Sequence, residues 1–242
     1  MVADTAMSLS GCEVRVKSRQ RIGLLVPSSD TAIEVDLYRR LPERFTLHTA
    51  RMHLEATTVA GEEKMLNEEL VPAARRLAAV RPALAVFGCT SATALHGVEG
   101  DAAVARRVAS IVGSPCMTVI QAVVEEIRRL SLGNLLLVTP YVDELNHRLR
   151  GTLLEAGLPV TGAVGMGLDS DLEIGAVPPE EIRRFVVGVT REATPRPECV
   201  FISCTTFRAF DAADQLEQEL AVPVVTSNQC VLRAILRNME AK

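Results

Sequence analysis

The residues of this chain best suited to covalent chemistry are its six cysteines, Cys12, Cys89, Cys116, Cys199, Cys204 and Cys230. None forms a CxxC pair and none has a histidine at zinc spacing, so the pattern supports neither a structural metal nor a redox motif. A lone intracellular cysteine is most often a small buried hydrophobe. Cys89 and Cys204 stand out by position. Cys89 follows the apolar run over 83–88 and precedes Thr90-Ser91-Ala92-Thr93, while Cys204 follows Val200-Phe201-Ile202-Ser203 and precedes Thr205-Thr206-Phe207-Arg208. Each sits where a strand ends and a helix is expected to begin. The free N–H groups and dipole of a helix start favour a thiolate, and they can also hold a substrate carboxylate. Lowering a thiol from ~8.5 to about 7 takes it from a few per cent ionised to roughly half, at a cost of about 2 kcal/mol, and requires no metal or cofactor.

The elements that carry these turns form a repeating pattern. Runs over 21–26, 45–51, 83–88, 116–119, 135–139, 160–164, 199–203 and 222–226 read as strands, and helix-length segments separate most of them. Alternation of this kind predicts parallel sheets covered on both faces. Sliding the second half over the first brings three landmarks together at nearly constant offset. Val138-Thr139-Pro140 falls on Leu25-Val26-Pro27, Ser203-Cys204-Thr205 on Gly88-Cys89-Thr90, and Pro223-Val224-Val225-Thr226 on Pro115-Cys116-Met117-Thr118. The expected fold class is α/β, with two pseudo-symmetric Rossmann-like parallel-sheet domains over 21–125 and 126–242 and a lead-in over 1–20. The C-terminal helix is expected to pack back on the first domain. Ligands of open α/β sheets bind beyond the carboxyl ends of the strands, which places the active site in the cleft between the halves. Cys12, Cys116, Cys199 and Cys230 lack the symmetry and are assigned to packing.

Composition narrows the classes further. A formal net charge of −4, no Trp and 3% aromatic residues leave neither a basic footprint nor a stacking platform for nucleic acid. The longest apolar runs are far below a membrane-spanning length, and residues 1–20 carry no secretory pattern, so reduced thiols in the cytoplasm are expected.

Five strings, Val26-Pro27-Ser28-Ser29-Asp30-Thr31, Phe87-Gly88-Cys89-Thr90-Ser91, Val138-Thr139-Pro140-Tyr141, Ser203-Cys204-Thr205 and Thr226-Ser227-Asn228-Gln229, resemble the maleate cis-trans isomerase and arylmalonate decarboxylase branch of the aspartate/glutamate racemase superfamily. The resemblance implies a cofactor-free enzyme acting on a small carboxylic acid, with Cys89 as nucleophile and Cys204 as partner acid or base. It implies that Tyr141 reaches the carboxylate or the developing carbanion. Ser28, Ser29, Thr90, Ser91, Thr205 and Thr206 would form carboxylate pockets, with donors oriented toward enediolate-like charge. It also implies a homodimer. Decarboxylases of the branch carry Gly at the first cysteine place, so two cysteines speak against decarboxylation.

The match departs from the branch at Asp30, where its pattern has Asn, and at Asp171, which aligns with another Asn. An ionised carboxylate cannot donate to a substrate carboxylate, and two such charges about 4 Å apart repel by roughly 4 kcal/mol at an effective dielectric of ~20. Asp30 is therefore protonated, turned away, or facing a cation or donor on the substrate. Maleate-type isomerisation, two-base racemisation of an amino-bearing acid, and a binding protein without turnover all stay open. His96, His147 and Arg208 are weaker candidates, read as surface or packing residues. The acidic spacing Asp169, Asp171, Glu173 fails the calcium-loop pattern and reads as an exposed loop or cleft rim.

Overall fold

The computed structural model describes residues 19–131 and 133–240. Most of the expected lead-in, with Cys12, lies outside the described residues.

Strands β1 (Gln20–Pro27), β2 (Phe45–Met52), β3 (Leu84–Phe87) and β4 (Cys116–Thr118) form one sheet in the order β2-β1-β3-β4. Strands β5 (Leu135–Tyr141), β6 (Val160–Leu168), β7 (Cys199–Ile202) and β8 (Val224–Thr226) form a second in the order β6-β5-β7-β8. Every pairing is parallel, and β1 and β5 hold equivalent central places. The central strands are apolar without alternation because helices cover both faces. β3, β5 and β7 are buried at every residue.

The covering helices in the first half are α1 (Ile33–Arg40), α2 (Val59–Lys64), α3 (Leu70–Ala78), the single turn α4 (Thr90–Thr93), α5 (Gly97–Val112) and α6 (Val119–Leu130). A wide π turn over Met65–Glu69 joins α2 to α3. In the second half they are α7 (Asp143–Glu155), α8 (Asp171–Ala176), α9 (Pro179–Glu192), α10 (Ala213–Leu220) and α11 (Ser227–Glu240).

The repeat extends to the capping of α6 and α11. The Thr118 hydroxyl accepts from the Gln121 N–H while Gln121 reaches back to the Thr118 N–H, and Thr226 and Gln229 make the same reciprocal pair. α6 buries Val119, Ile120, Val123, Val124 and Ile127, each worth about 1.5–3 kcal/mol when fully removed from water. It packs on α11, and at that seam the buried Glu126 meets Arg129, Arg233 and Arg237 at 3.1, 2.9 and 2.7 Å.

The expected boundary between residues 125 and 126 falls inside α6, which runs unbroken to Leu130. Strand landmarks fixed the repeat but left open where its last helix ends, and the real change of sheet comes between α6 and β5. α11 lies against α1 and α6, and the Asn228 amide donates to Asp36 Oδ2 at 2.8 Å.

Candidate active site

Both cysteines occupy the first position past a sheet's last rung. The Gly88 N–H bonds Leu25 O at 2.7 Å and the Ser203 N–H bonds Val138 O at 2.9 Å. A Cβ on Gly88 would come within 3.0 Å of the Leu24 and Val26 side chains, so glycine is what lets β3 end this close to β1.

Beyond that rung the turns differ. Cys89 is in ordinary extended conformation (φ −142°, ψ 114°) and heads α4, a helix of one turn. Cys204 has φ +103°, a region costly for a side chain, and no helix follows it; residues 205–207 run as a bent loop into a 3-10 turn over Arg208–Ala212. The helix start expected after Cys204 is absent because the loop is tied elsewhere. Thr205 donates its hydroxyl to Gly88 O at 3.3 Å, and its own carbonyl accepts from the Asn228 amide at 2.9 Å.

These ties join the two turns. Ser227 Oγ accepts the Cys204 N–H at 3.2 Å and lies 3.1 Å from Thr90 Oγ1. Tyr141 is the last residue of β5. Burial, then the charges of Cys204 and Cys89, push its phenol well above the ordinary value, so it lies near both sulfurs. Asn146 holds this strand end by donating to Tyr141 O at 3.2 Å and accepting from Thr139 Oγ1. Cys89, Cys204 and Tyr141 are 4%, 5% and 1% exposed, so the chemistry would run out of contact with bulk water.

Three carboxyls face this buried space. Asp30 Oδ1 accepts the N–H groups of Ala32 and Ile33 at 2.9 and 3.0 Å, leaving Oδ2 buried without a partner among the described residues. Of the three options open for Asp30, half of the carboxylate has turned to its own backbone and half has not. Burial pushes it up to about 6. Asp171 Oδ2 accepts from Ser29 Oγ at 2.8 Å and Oδ1 from Thr57 Oγ1 at 3.3 Å, with Thr206 also donating. Burial raises it as well, and those hydroxyls pull it back. The same stretch of the first half is tied to the second by Thr57 N–H on Asp169 O at 2.8 Å. Glu62, on α2, is wholly buried and burial pushes it up to about 8; it accepts from Ser91 Oγ, which is 3.9 Å from Cys89 Sγ.

The expected thiolates are not favoured here. Burial, then the charge of Glu62, drives the Cys89 thiol well above its ordinary value; burial, then Asp171, does the same to Cys204. One helical turn at Cys89 and none at Cys204 supply too little dipole to offset desolvation.

The proposed pocket hydroxyls are gathered around the thiols, with one exception. Ser28 is exposed, and its Oγ accepts the Leu54 N–H at 3.3 Å. Ser29, Ser91, Thr205 and Thr206 spend their protons on protein oxygens. His96 pairs with Glu63 at 2.7 Å, His147 bonds Asp143 O on an exposed helix face, and Arg208 pairs with Asp211 at 3.6 Å, so all three are surface residues. Among the described residues no group of three or more His, Cys, Asp or Glu is placed to hold a metal ion, and no helix is long and apolar enough to cross a membrane.

Sequence reasoning missed Glu62, and it quoted Ser227 within a matching string without giving it a role. Ser227 left a signal: it takes the place held by the buried Val119 in the first half, a polar residue where the repeat has an apolar one. Glu62 left a fainter one in the preceding Gly61, where a Cβ would strike Ala56 O at 2.2 Å, so α2 starts pressed against the chain before it.

Arylmalonate decarboxylase of Bordetella bronchiseptica is 28% identical over 211 residues, covering 87% of each chain. Maleate isomerase of Geobacillus stearothermophilus is 24% identical over 235 residues, covering 92% of each. A mutant maleate cis-trans isomerase of Nocardia farcinica, solved with a covalently bound succinylcysteine intermediate, superposes with a TM-score of 0.83 at 23% identity, covering 91% of this chain and 93% of that one. The family model described as arylmalonate decarboxylase matches residues 22–242. With two like sheets, paired cysteine turns and a match over nearly its whole length, the chain belongs to the arylmalonate decarboxylase family.

Proposed function

We propose that this protein is a cofactor-independent isomerase of a small unsaturated carboxylic acid such as maleate, with Cys89 as nucleophile and Cys204 as acid or base. The observation that carries the reading is the pair itself: two thiols in equivalent turns, both shut away from water and joined through Ser227, with the Tyr141 phenol beside them. In this scheme the Cys89 sulfur bonds one alkene carbon as the π bond opens. The electron pair moves to the neighbouring carbon and its carboxylate, where Tyr141 and the Cys204 S–H would serve as donors. The remaining single bond rotates, and re-forming the double bond expels the sulfur and leaves the trans acid. Donors already fixed in a dry site stabilise the transient charge without reorganising. The solved relative with a succinylcysteine carries an adduct of the kind this addition would form.

Mixing the Cys204→Ser protein with maleate tests the reading. An adduct one maleate heavier on the Cys89 peptide is expected. Turnover by the wild type with Cys89 never modified, or turnover surviving Cys89→Ser, would overturn it.

A second reading is favoured by the carboxyls. Asp30, Glu62 and Asp171 surround the thiols, and no cation figures among the groups that act most strongly on them. A substrate bearing an ammonium group would complement them, and the same two thiols would then exchange an α-proton as a racemase. Deuterated water separates the two: racemisation labels the α-carbon of recovered substrate, while addition, rotation and elimination need not.

A further inference from the structure

The scheme above leaves unexplained how Cys89 loses its proton, since burial and nearby carboxyls both oppose a thiolate. Glu62 is 0% exposed, yet it sits on a short helix whose neighbouring residues Glu63 and Lys64 face outward in the ordinary way. Its Oε1 accepts from Ser91 Oγ, and its Oε2 is buried with no partner among the described residues. Ser91 Oγ in turn lies 3.9 Å from Cys89 Sγ, within the reach of a sulfur hydrogen bond. Thiol, hydroxyl and carboxyl thus form a chain of three.

We propose that Glu62 is a positioning residue that takes up the Cys89 proton through the Ser91 hydroxyl as the sulfur attacks. The inference rests on the reading of Cys89 as the nucleophile. The S–H bond breaks and its proton passes to Ser91 Oγ, while the Ser91 proton passes to Glu62 Oε1. The products are a thiolate sulfur, an intact hydroxyl and a neutral acid. One negative charge enters and one leaves, displaced by two hydrogen bonds.

That balance is what the site needs. Release of the proton to water would put a second charge beside Glu62 and Asp171 in a space that excludes solvent, which is costly. Internal transfer leaves the net charge unchanged. The groups that act most strongly on the pair are Ser91, Asp171, Glu63 and the Tyr141 phenol, all neutral or acidic, with no lysine or arginine among them. A carboxyl pushed up to about 8 is a stronger base than a free carboxylate, which narrows its gap to the raised Cys89 thiol.

The test is the rate of iodoacetamide capture at the Cys89 peptide across pH, with the other cysteines as internal references. In the wild type the rate should climb as Glu62 ionises, with a midpoint near 8, and then level off. Glu62→Gln should slow capture by about 10²-fold or more at pH 8 and show no plateau below the thiol's own ionisation, with Glu62→Asp restoring part of it. Ser91→Ala should reproduce the loss, and it carries the test if Glu62→Gln does not fold. With maleate, kcat should fall in both variants while KM holds. A wild-type pH profile in folded Glu62→Gln or Ser91→Ala overturns the proposal. Failure of the nucleophile reading would show separately, as turnover that survives Cys89→Ser.

Discussion

The two cysteine turns begin alike and end differently. Each follows a buried parallel strand, and each starts with a backbone N–H donated to a carbonyl of the neighbouring central strand. Cys89 then relaxes into extended backbone above one helical turn, with a buried acid two bonds away. Cys204 is held at φ +103° by a loop tied to the other half, with Tyr141 near its sulfur. Repetition has placed both sulfurs, while the partners around them have diverged into one site with access to a proton acceptor and another facing a proton donor. That asymmetry fits a nucleophile opposite an acid better than it fits two interchangeable bases.

The strongest way to break this comparison is to remove each sulfur. Cys89→Ala should lower turnover by about 10⁴-fold, and Cys204→Ala by about 10²-fold, the two ends of the range for a positioned acid or base. Equal losses, measured as kcat/KM on a verified substrate, would favour the two-base reading.

The next effect is titration of the acids. Raising Asp30 from 3.8 to about 6 means the folded protein binds its proton more tightly than the unfolded chain between those values. The cost of burying the carboxylate is absent below about 4, grows as pH rises through 6 and is complete above it, at roughly 3 kcal/mol. Glu62 adds a cost of the same sign that is complete only above about 8. Asp30→Asn should therefore raise Tm relative to wild type more at pH 8 than at pH 5, as read by thermal denaturation. A difference independent of pH would show that Asp30 is not buried as a charge.

Ser227→Val, which copies Val119 of the first half, should strand the Cys204 N–H and the Thr90 hydroxyl. That costs about 1–3 kcal/mol, or a few degrees in Tm for a chain of this size. The smallest effect concerns backbone. At position 204 glycine should be more stable than alanine by about 1 kcal/mol, because only glycine tolerates that φ freely. At position 89 the order should reverse. Urea midpoints for the four variants give the comparison directly.

Much of this was legible in the residues. All eight strands among the described residues fall where the pattern announced them, the inner ones most clearly because parallel strands buried on both faces cannot hide among polar residues. The repeat singled out Cys89 and Cys204. What could not be read is anything that depends on which side chain meets which across the halves. Ser227 and Glu62 are remote from both cysteines in sequence, and a glutamate among Glu63 and Lys64 looks like one more solvated charge. The helix expected after Cys204 failed for a related reason, since the hydroxyls that suggested a cap at Thr205 and Thr206 are engaged with Gly88 and Asp171. Local patterns report local partners, whereas the Cys204 N–H and the Thr205 hydroxyl and carbonyl find theirs far away in sequence.

Ser227 stands 137 residues beyond Thr90 and 23 beyond Cys204. Contacts of such separation form late, because loop closure must be paid before they give anything back. Each sheet can therefore assemble with its own thiol in place before the two turns meet, and joining them is among the last events of folding. During refolding under air, a chain stalled before that step exposes both sulfurs to oxidants and to other chains, so a reductant should raise the recovered yield.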